Sequence, residues 1–107
     1  MNIKEQLADL DAKDGLLAKE EADAAKVERL FRESPLAEAF DAVEQALSAK
    51  WRSSPEADVD GRERIFRELH ALKSVKAHLQ RVLNRGTQAA AERPTIMERI
   101  KRLKAGR

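Results

Sequence analysis

The sequence predicts an all-α protein built on an antiparallel helical hairpin over residues 34–86. An additional N-terminal helix precedes the hairpin and a short C-terminal amphipathic helix follows it. Three observations carry this expectation. Large apolar residues recur at three- and four-residue steps through 36–51 and again through 65–83, the spacing that gathers them on one helix face. Each run is preceded by a helix start signal. The linker between them, residues 53–58 (Ser-Ser-Pro-Glu-Ala-Asp), is long enough only to turn the chain back.

Taken in order, residues 1–33 form an N-terminal helical segment rich in Ala, Glu, Lys and Leu, all strong helix formers. Ile3, Leu7 and Leu10 keep helical spacing, Asp14-Gly15 interrupts it, and Leu16, Leu17, Ala24, Val27, Leu30 and Phe31 resume it raggedly. A stripe this weak predicts a bent or frayed helix that orders fully against something else. Ser34-Pro35 is a helix start: Ser accepts a backbone N–H as N-cap, and Pro has no N–H to leave unpaired in the first turn. Leu36, Phe40, Val43, Leu47 and Trp51 then form one stripe, which ends before Pro55 because the residue preceding a proline avoids helical angles.

Asp60 with Glu63 has the pattern of a capping box, with Asp58 as the alternative cap. The helix that follows carries the widest stripe of the chain: Ile65, Phe66, Leu69, Leu72, Val75, Leu79, Val82 and Leu83. Gly86 is placed to close it as the positive-φ residue after the last turn. Residues 87–107 then read as a connector, flexible or loosely helical over 87–93, and a basic C-terminal helix. Thr95 and Glu98 supply its capping box, and Ile96, Ile100 and Leu103 its apolar face. A helix of nine or ten residues is not stable alone in water, so this tail is expected to fold on a partner.

Charge is strongly segregated. The net +2 divides into −3 over residues 1–33, −4 over 34–61, +5 over 62–85 and +4 over 86–107. Either the two halves face each other within the chain or between subunits, or the basic half faces nucleic acid. With 37% charged residues, three Phe, one Trp and no Tyr, the core is small, and packing against a partner or a second copy is expected. There is no Cys, which removes disulfides and thiolate chemistry. The acidic N-terminus has no apolar segment of signal-peptide type, and no stretch reaches the roughly 18 apolar residues of a membrane span.

No catalytic constellation is present. His70 and His78 are eight residues apart on one helix, about 80° apart around its axis, which is not the spacing that lets one metal see both. Capping explains Asp60, and a solvated face explains Glu20 and Glu21. No enzymatic activity, metal, cofactor or small-molecule substrate is expected. Lys76 falls inside the apolar stripe. Either its stem snorkels to water, or its ammonium pairs with an acidic residue such as Glu44 on the facing helix and helps fix register. Trp51 either closes the end of the core or anchors a partner.

The central block resembles a group of small helical proteins of tailed phages and prophages, encoded in the head-assembly region. The resemblance rests on Phe40, Glu44, Leu47 and Trp51, the Asp-containing linker, Arg62-Glu63, and the spacing of Leu69, Leu72, Val75, Leu79 and Gly86. It covers residues 34–86, about half the chain. It implies a non-enzymatic virion structural or assembly protein, in the virion or the host cytoplasm, that docks on a larger virion protein such as capsid, portal or tail. It supplies no catalytic residue. On this reading Ile96, Ile100 and Leu103 enter a partner's groove while Lys101, Arg102 and Lys104 steer toward an acidic surface, Trp51 is a further partner anchor, and self-association is expected. The alternatives are a small nucleic-acid-binding or regulatory protein using Arg67, Arg81 and Arg85, and a phage inhibitor of a host protein.

Overall fold

The computed structural model describes residues 1–106, which form three helices and no strand: α1 (Ile3–Glu33), α2 (Leu36–Ser53) and α3 (Val59–Ala105). The chain is all-α. It divides into two compact units, Met1–Glu28 with the chain from Arg81 onward, and Arg29–Gln80. Both α1 and α3 contribute to each.

The first unit holds most of the buried core, which sequence reasoning had placed in the central block. Leu7, Leu10 and Leu17 of α1 cluster with Ala89, Ile96 and Ile100 of α3, and Leu103 packs against them. The helices run in opposite directions, since Gly86 approaches Ala24 while Arg93 bonds Asp14. The seam positions on α1 are Leu7, Leu10, Asp14, Leu17, Glu21 and Ala24; on α3 they are Gly86, Ala89, Arg93, Ile96, Ile100 and Leu103. Both series step by three and four residues in alternation, the heptad spacing of a coiled coil. No such seam was expected outside the central helices. Three of its twelve positions are charged and three are Gly or Ala, so an apolar pattern does not reveal it.

This packing corrects several expectations. α1 is a single helix through Gly15. It starts at Asn2, whose Oδ1 accepts the Glu5 N–H at 2.8 Å, while its Nδ2 donates to Glu5 Oε1 at 3.3 Å. Gly86 does not end a helix: its φ is not positive, it is buried, and α3 continues past it. A Cβ built there would overlap the Ala24 methyl, so Gly is needed for close helix approach rather than for a left-handed turn. The connector at 87–93, expected to be flexible or loosely helical, is an uninterrupted part of α3, and there is no separate short C-terminal helix. Thr95 is interior to α3 and caps nothing. Pro94 is tolerated because it and Ala90, whose carbonyl loses its partner, both lie on the exposed side, where water takes the bond.

In the second unit Leu47 is the one buried hydrophobic side chain. α1 passes to α2 through a turn at Ser34-Pro35. Here Ser34 does not cap α2: its hydroxyl donates back to the Leu30 carbonyl, and its N–H to the same oxygen at 3.2 Å. Pro35 occupies the N-cap position with no side-chain cap, and its carbonyl accepts the Ala39 N–H at 2.9 Å. Phe31 and Phe40 stack across this turn with ring centroids 6.3 Å apart. α2 ends at Ser53, and Ser54 adopts extended angles ahead of Pro55, as the proline requires. Asp58, not Asp60, caps α3: its Oδ1 accepts the Gly61 N–H at 3.1 Å. A Cβ at Gly61 would meet the Asp58 carboxylate, so this glycine makes room for the cap.

Candidate interaction site

α3 starts beside the end of α2, and the two ends enclose a groove of about 480 Å³. It is lined by Trp51 and Glu56 on one side and Val59, Arg62, Glu63 and Phe66 on the other. Val59 and Phe66 are seven residues apart, hence on one helix face, and lie to the side of the stripe formed by Leu69 and Leu72. They are 66% and 60% exposed. Trp51 is half-buried, with the Arg62 guanidinium 4.3 Å from its ring centroid, a cation–π stack. Arg62 Nε is buried with no hydrogen-bond partner. Sequence reasoning singled out Trp51 but assigned Phe66 to the core stripe and gave Val59, Arg62 and Glu56 no role at the site. The seven-residue step from Val59 to Phe66 was the available signal.

Lys76 reaches the facing helix. Its Nζ lies 3.0 Å from Glu44 Oε2 and 4.0 Å from Asp41 Oδ1. The hydrogen bond to Glu44, followed by the attraction of its charge, holds the Lys76 pKa above its ordinary value despite partial desolvation. Of the two readings of this residue, the pairing with Glu44 is the one the structure shows.

Other candidate residues are placed differently from expectation. Ile96 and Ile100 are buried, at 4% and 6% exposure, and Leu103 packs on the same cluster. They face the chain's own α1, so they are not available to enter a partner's groove. Their apolar spacing was read correctly; its cover is intramolecular. Lys101 and Arg102 are exposed on the other side of the same helix and Lys104 is exposed at the flank of the stripe, with Arg102 Nε 3.6 Å from Glu98. Arg67 is exposed and bonded to Glu63 at 2.8 Å, while Arg81 and Arg85 are exposed. His70 and His78 are also exposed. Among the described residues no group of three or more His, Asp or Glu is placed to hold a metal ion, and no helix is long and apolar enough to cross a membrane.

A second polar cluster was missed altogether. Arg93 Nε donates to Asp14 Oδ1 at 2.9 Å, its two terminal nitrogens reach Asp14 Oδ2 and Glu21 Oε2 at 3.4 Å each, and the Arg93, Asp14 and Glu21 side chains are 33%, 20% and 34% exposed. The bidentate bond to Asp14 is the largest cause of an Arg93 pKa above the usual value. This cluster is where the acidic N-terminal and basic C-terminal segments meet.

No family model, curated protein or solved structure matches the chain.

Proposed function

We propose that this protein is a non-enzymatic helical docking component of a phage virion or of its assembly, acting in the virion or the host cytoplasm. The observation that carries the docking role is the basic face of α3 near its end. Lys101 and Arg102 are exposed on the side of the helix away from Ile96, Ile100 and Leu103, which are anchored on α1, and Arg99 and Lys104 are exposed at the flanks of that stripe. Cations on an ordered support lose less freedom on binding than cations on a loose tail, and they suit an acidic surface on a larger protein. The phage assignment rests on the resemblance over residues 34–86.

Within that block we read α2 and the first half of α3 as the expected antiparallel hairpin. Glu44 with Lys76 and Trp51 with Arg62 support it, because the contact positions rise in one helix as they fall in the other. The test is co-sedimentation of the chain with purified particles, read by mass spectrometry. A Lys101→Glu, Arg102→Glu, Lys104→Glu triple variant should lose its place in the particle while keeping its helicity. Full incorporation of the variant refutes the docking role of this face, and absence of the parent chain from particles refutes the virion reading in favour of a phage inhibitor of a host protein.

The nucleic-acid reading has one observation in its favour, the exposure of Arg81 and Arg85. It requires a gel shift at low salt that weakens steeply as salt rises. Arg67 is engaged by Glu63 in the same turn region and adds less to such a ridge than its position in the sequence implied.

A further inference from the structure

The second unit, Arg29–Gln80, is unusual in what it leaves outside. Leu47 is its one buried hydrophobic side chain, whereas Leu30, Val43, Val59, Phe66 and Val75 are each at least half exposed. A pair of short helices with so little interior is marginal by itself. Its charges also balance: nine Lys and Arg against nine Asp and Glu over residues 29–80. The rest of the chain holds the whole net charge of +2. A unit without net charge does not repel its own copy, and exposed apolar side chains then favour association.

The groove between the ends of α2 and α3 concentrates these properties. Its floor is Trp51, Val59 and Phe66. Around it along the first turns of α3, Asp60 and Glu63 alternate with Arg62, Arg64 and Arg67, and Glu56 and the capping Asp58 stand on the linker. Charges of both signs thus border the groove, and a strongly acidic or strongly basic partner meets repulsion as well as attraction there. A second copy related by a two-fold axis presents the same mixed set in reverse order, which lets acids of one copy meet bases of the other.

We propose that the Trp51–Val59–Phe66 groove is the contact through which two copies of this chain form a homodimer, with Phe66 and Val59 of each copy seated against Trp51 of the other and the mixed charges closing the rim. This goes beyond the virion reading and does not depend on it. Aromatic anchors at the centre of a small interface dominate its affinity.

The experiment is sedimentation equilibrium of the full chain, with the fluorescence of Trp51, its one tryptophan, followed over the same dilution series. The parent chain should show twice the 12.0 kDa mass, and its tryptophan emission should move to longer wavelength at the concentration where the mass halves. Phe66→Glu should weaken association by about thirtyfold or more, the loss expected of an aromatic hot spot, with unchanged far-ultraviolet helicity because Phe66 is largely exposed within one chain. A parent chain that stays at 12.0 kDa up to hundreds of micromolar, on the order of the weakest specific dimers, overturns the proposal. So does a Phe66→Glu variant that remains dimeric. If that variant loses helicity, the parent's own dilution series decides: dissociation with no change in Trp51 emission places the dimer contact elsewhere and overturns the assignment.

Discussion

Gly86 is the position where the structure departs most from the sequence reading, and one substitution tests the difference. As a helix-terminating residue, Gly86 would be destabilised by Ala because Ala resists a left-handed conformation. Within a helix of ordinary φ, Ala should instead stabilise by about 1 kcal/mol. The structure predicts neither outcome for those reasons. A Cβ at Gly86 lies inside 3.0 Å of the Ala24 Cβ, 3.4 Å from the Glu20 carbonyl oxygen and 3.6 Å from the Ala24 Cα. Carbon atoms pack best at roughly 3.5–4.0 Å, and a methyl group cannot rotate away, so the backbones of α1 and α3 must part at this point. Overpacking of this kind costs about 1–3 kcal/mol. Because the obstacle is tied directly to a backbone, the upper part of that range applies, and the propensity gain offsets about 1 kcal/mol of it. The expected net loss is about 1–2 kcal/mol, a fall in Tm of roughly 5–10 °C for a chain of this size. Gly15→Ala is the internal control: nothing lies within 4 Å of a Cβ there, so it should raise Tm through propensity alone. The decisive variant is Gly86→Ala combined with Ala24→Gly, which moves the same methyl from one helix to the other and should recover most of the loss through a favourable coupling term. Thermal and urea unfolding followed by circular dichroism measure all four chains. A Gly86→Ala chain as stable as Gly15→Ala, or a double variant no better than Gly86→Ala alone, refutes the close-approach argument.

Ile100→Ala should cost about 2–5 kcal/mol by removing a buried side chain from the seam; urea unfolding that shows under 1 kcal/mol would return this residue to the partner-binding role the sequence suggested. Asp58→Ala should cost about 0.5–2 kcal/mol through loss of the α3 cap, whereas Asp60→Ala should change little; equal effects in thermal unfolding would contradict the observed cap. Lys76 titrates above its ordinary 10.5 in the folded chain, so its bond to Glu44 contributes fully below that pH and fades as pH rises through the folded value. The stability difference between the parent and Lys76→Met should therefore be constant through neutral pH and shrink above about 10.5; a difference that shrinks only toward acid contradicts this sign. Arg93→Ala leaves Asp14 and Glu21, two turns apart on the same face of α1, without their shared cation in the seam and should lower Tm, with partial recovery on adding Asp14→Asn; no recovery would show that Arg93 acts through packing of its stem alone.

The parts of this fold that sequence reasoning reached are those written locally. The end of α2 ahead of Pro55 follows from backbone sterics at a single position. The Lys76–Glu44 bond was legible because a lysine inside an apolar stripe needs an acceptor, and the stripe itself says which helix faces it. The parts it did not reach depend on what lies across from a residue. Gly86 and Thr95 carry the letters of a helix stop and a helix start, signals that weigh local backbone preference alone. Here α1 supplies Leu7, Leu10 and Leu17, and burying Ile96 and Ile100 against them outweighs the roughly 1 kcal/mol cost of a helical glycine and the roughly 3 kcal/mol cost of a helical proline. The candidate site divides in the same way. Trp51 was recognisable by residue type, but the exposure of Phe66 and Val59 is a property of packing.

The segregation of charge along the chain has a structural consequence that bears on its partners. The blander expectation, that acidic and basic halves face each other, is met in a specific place: Arg93 between Asp14 and Glu21, on seam positions of a heptad pattern. A polar residue at such a position lowers stability and in return favours one register, because a slip of one heptad in either direction would separate the guanidinium from Asp14 or from Glu21. That device settles how α1 and α3 meet, but it engages one basic residue of the C-terminal segment. Arg99, Lys101 and Lys104 remain exposed on the outer face. The seam therefore separates two contributions that a single charge count merges: internal complementarity consumes the inward-facing charges, and the outward-facing ones leave a positive field at the surface. Since Debye screening at physiological salt limits that field to about 8 Å, an acidic surface of the kind proposed above would have to fit closely against it and could not be drawn in from a distance.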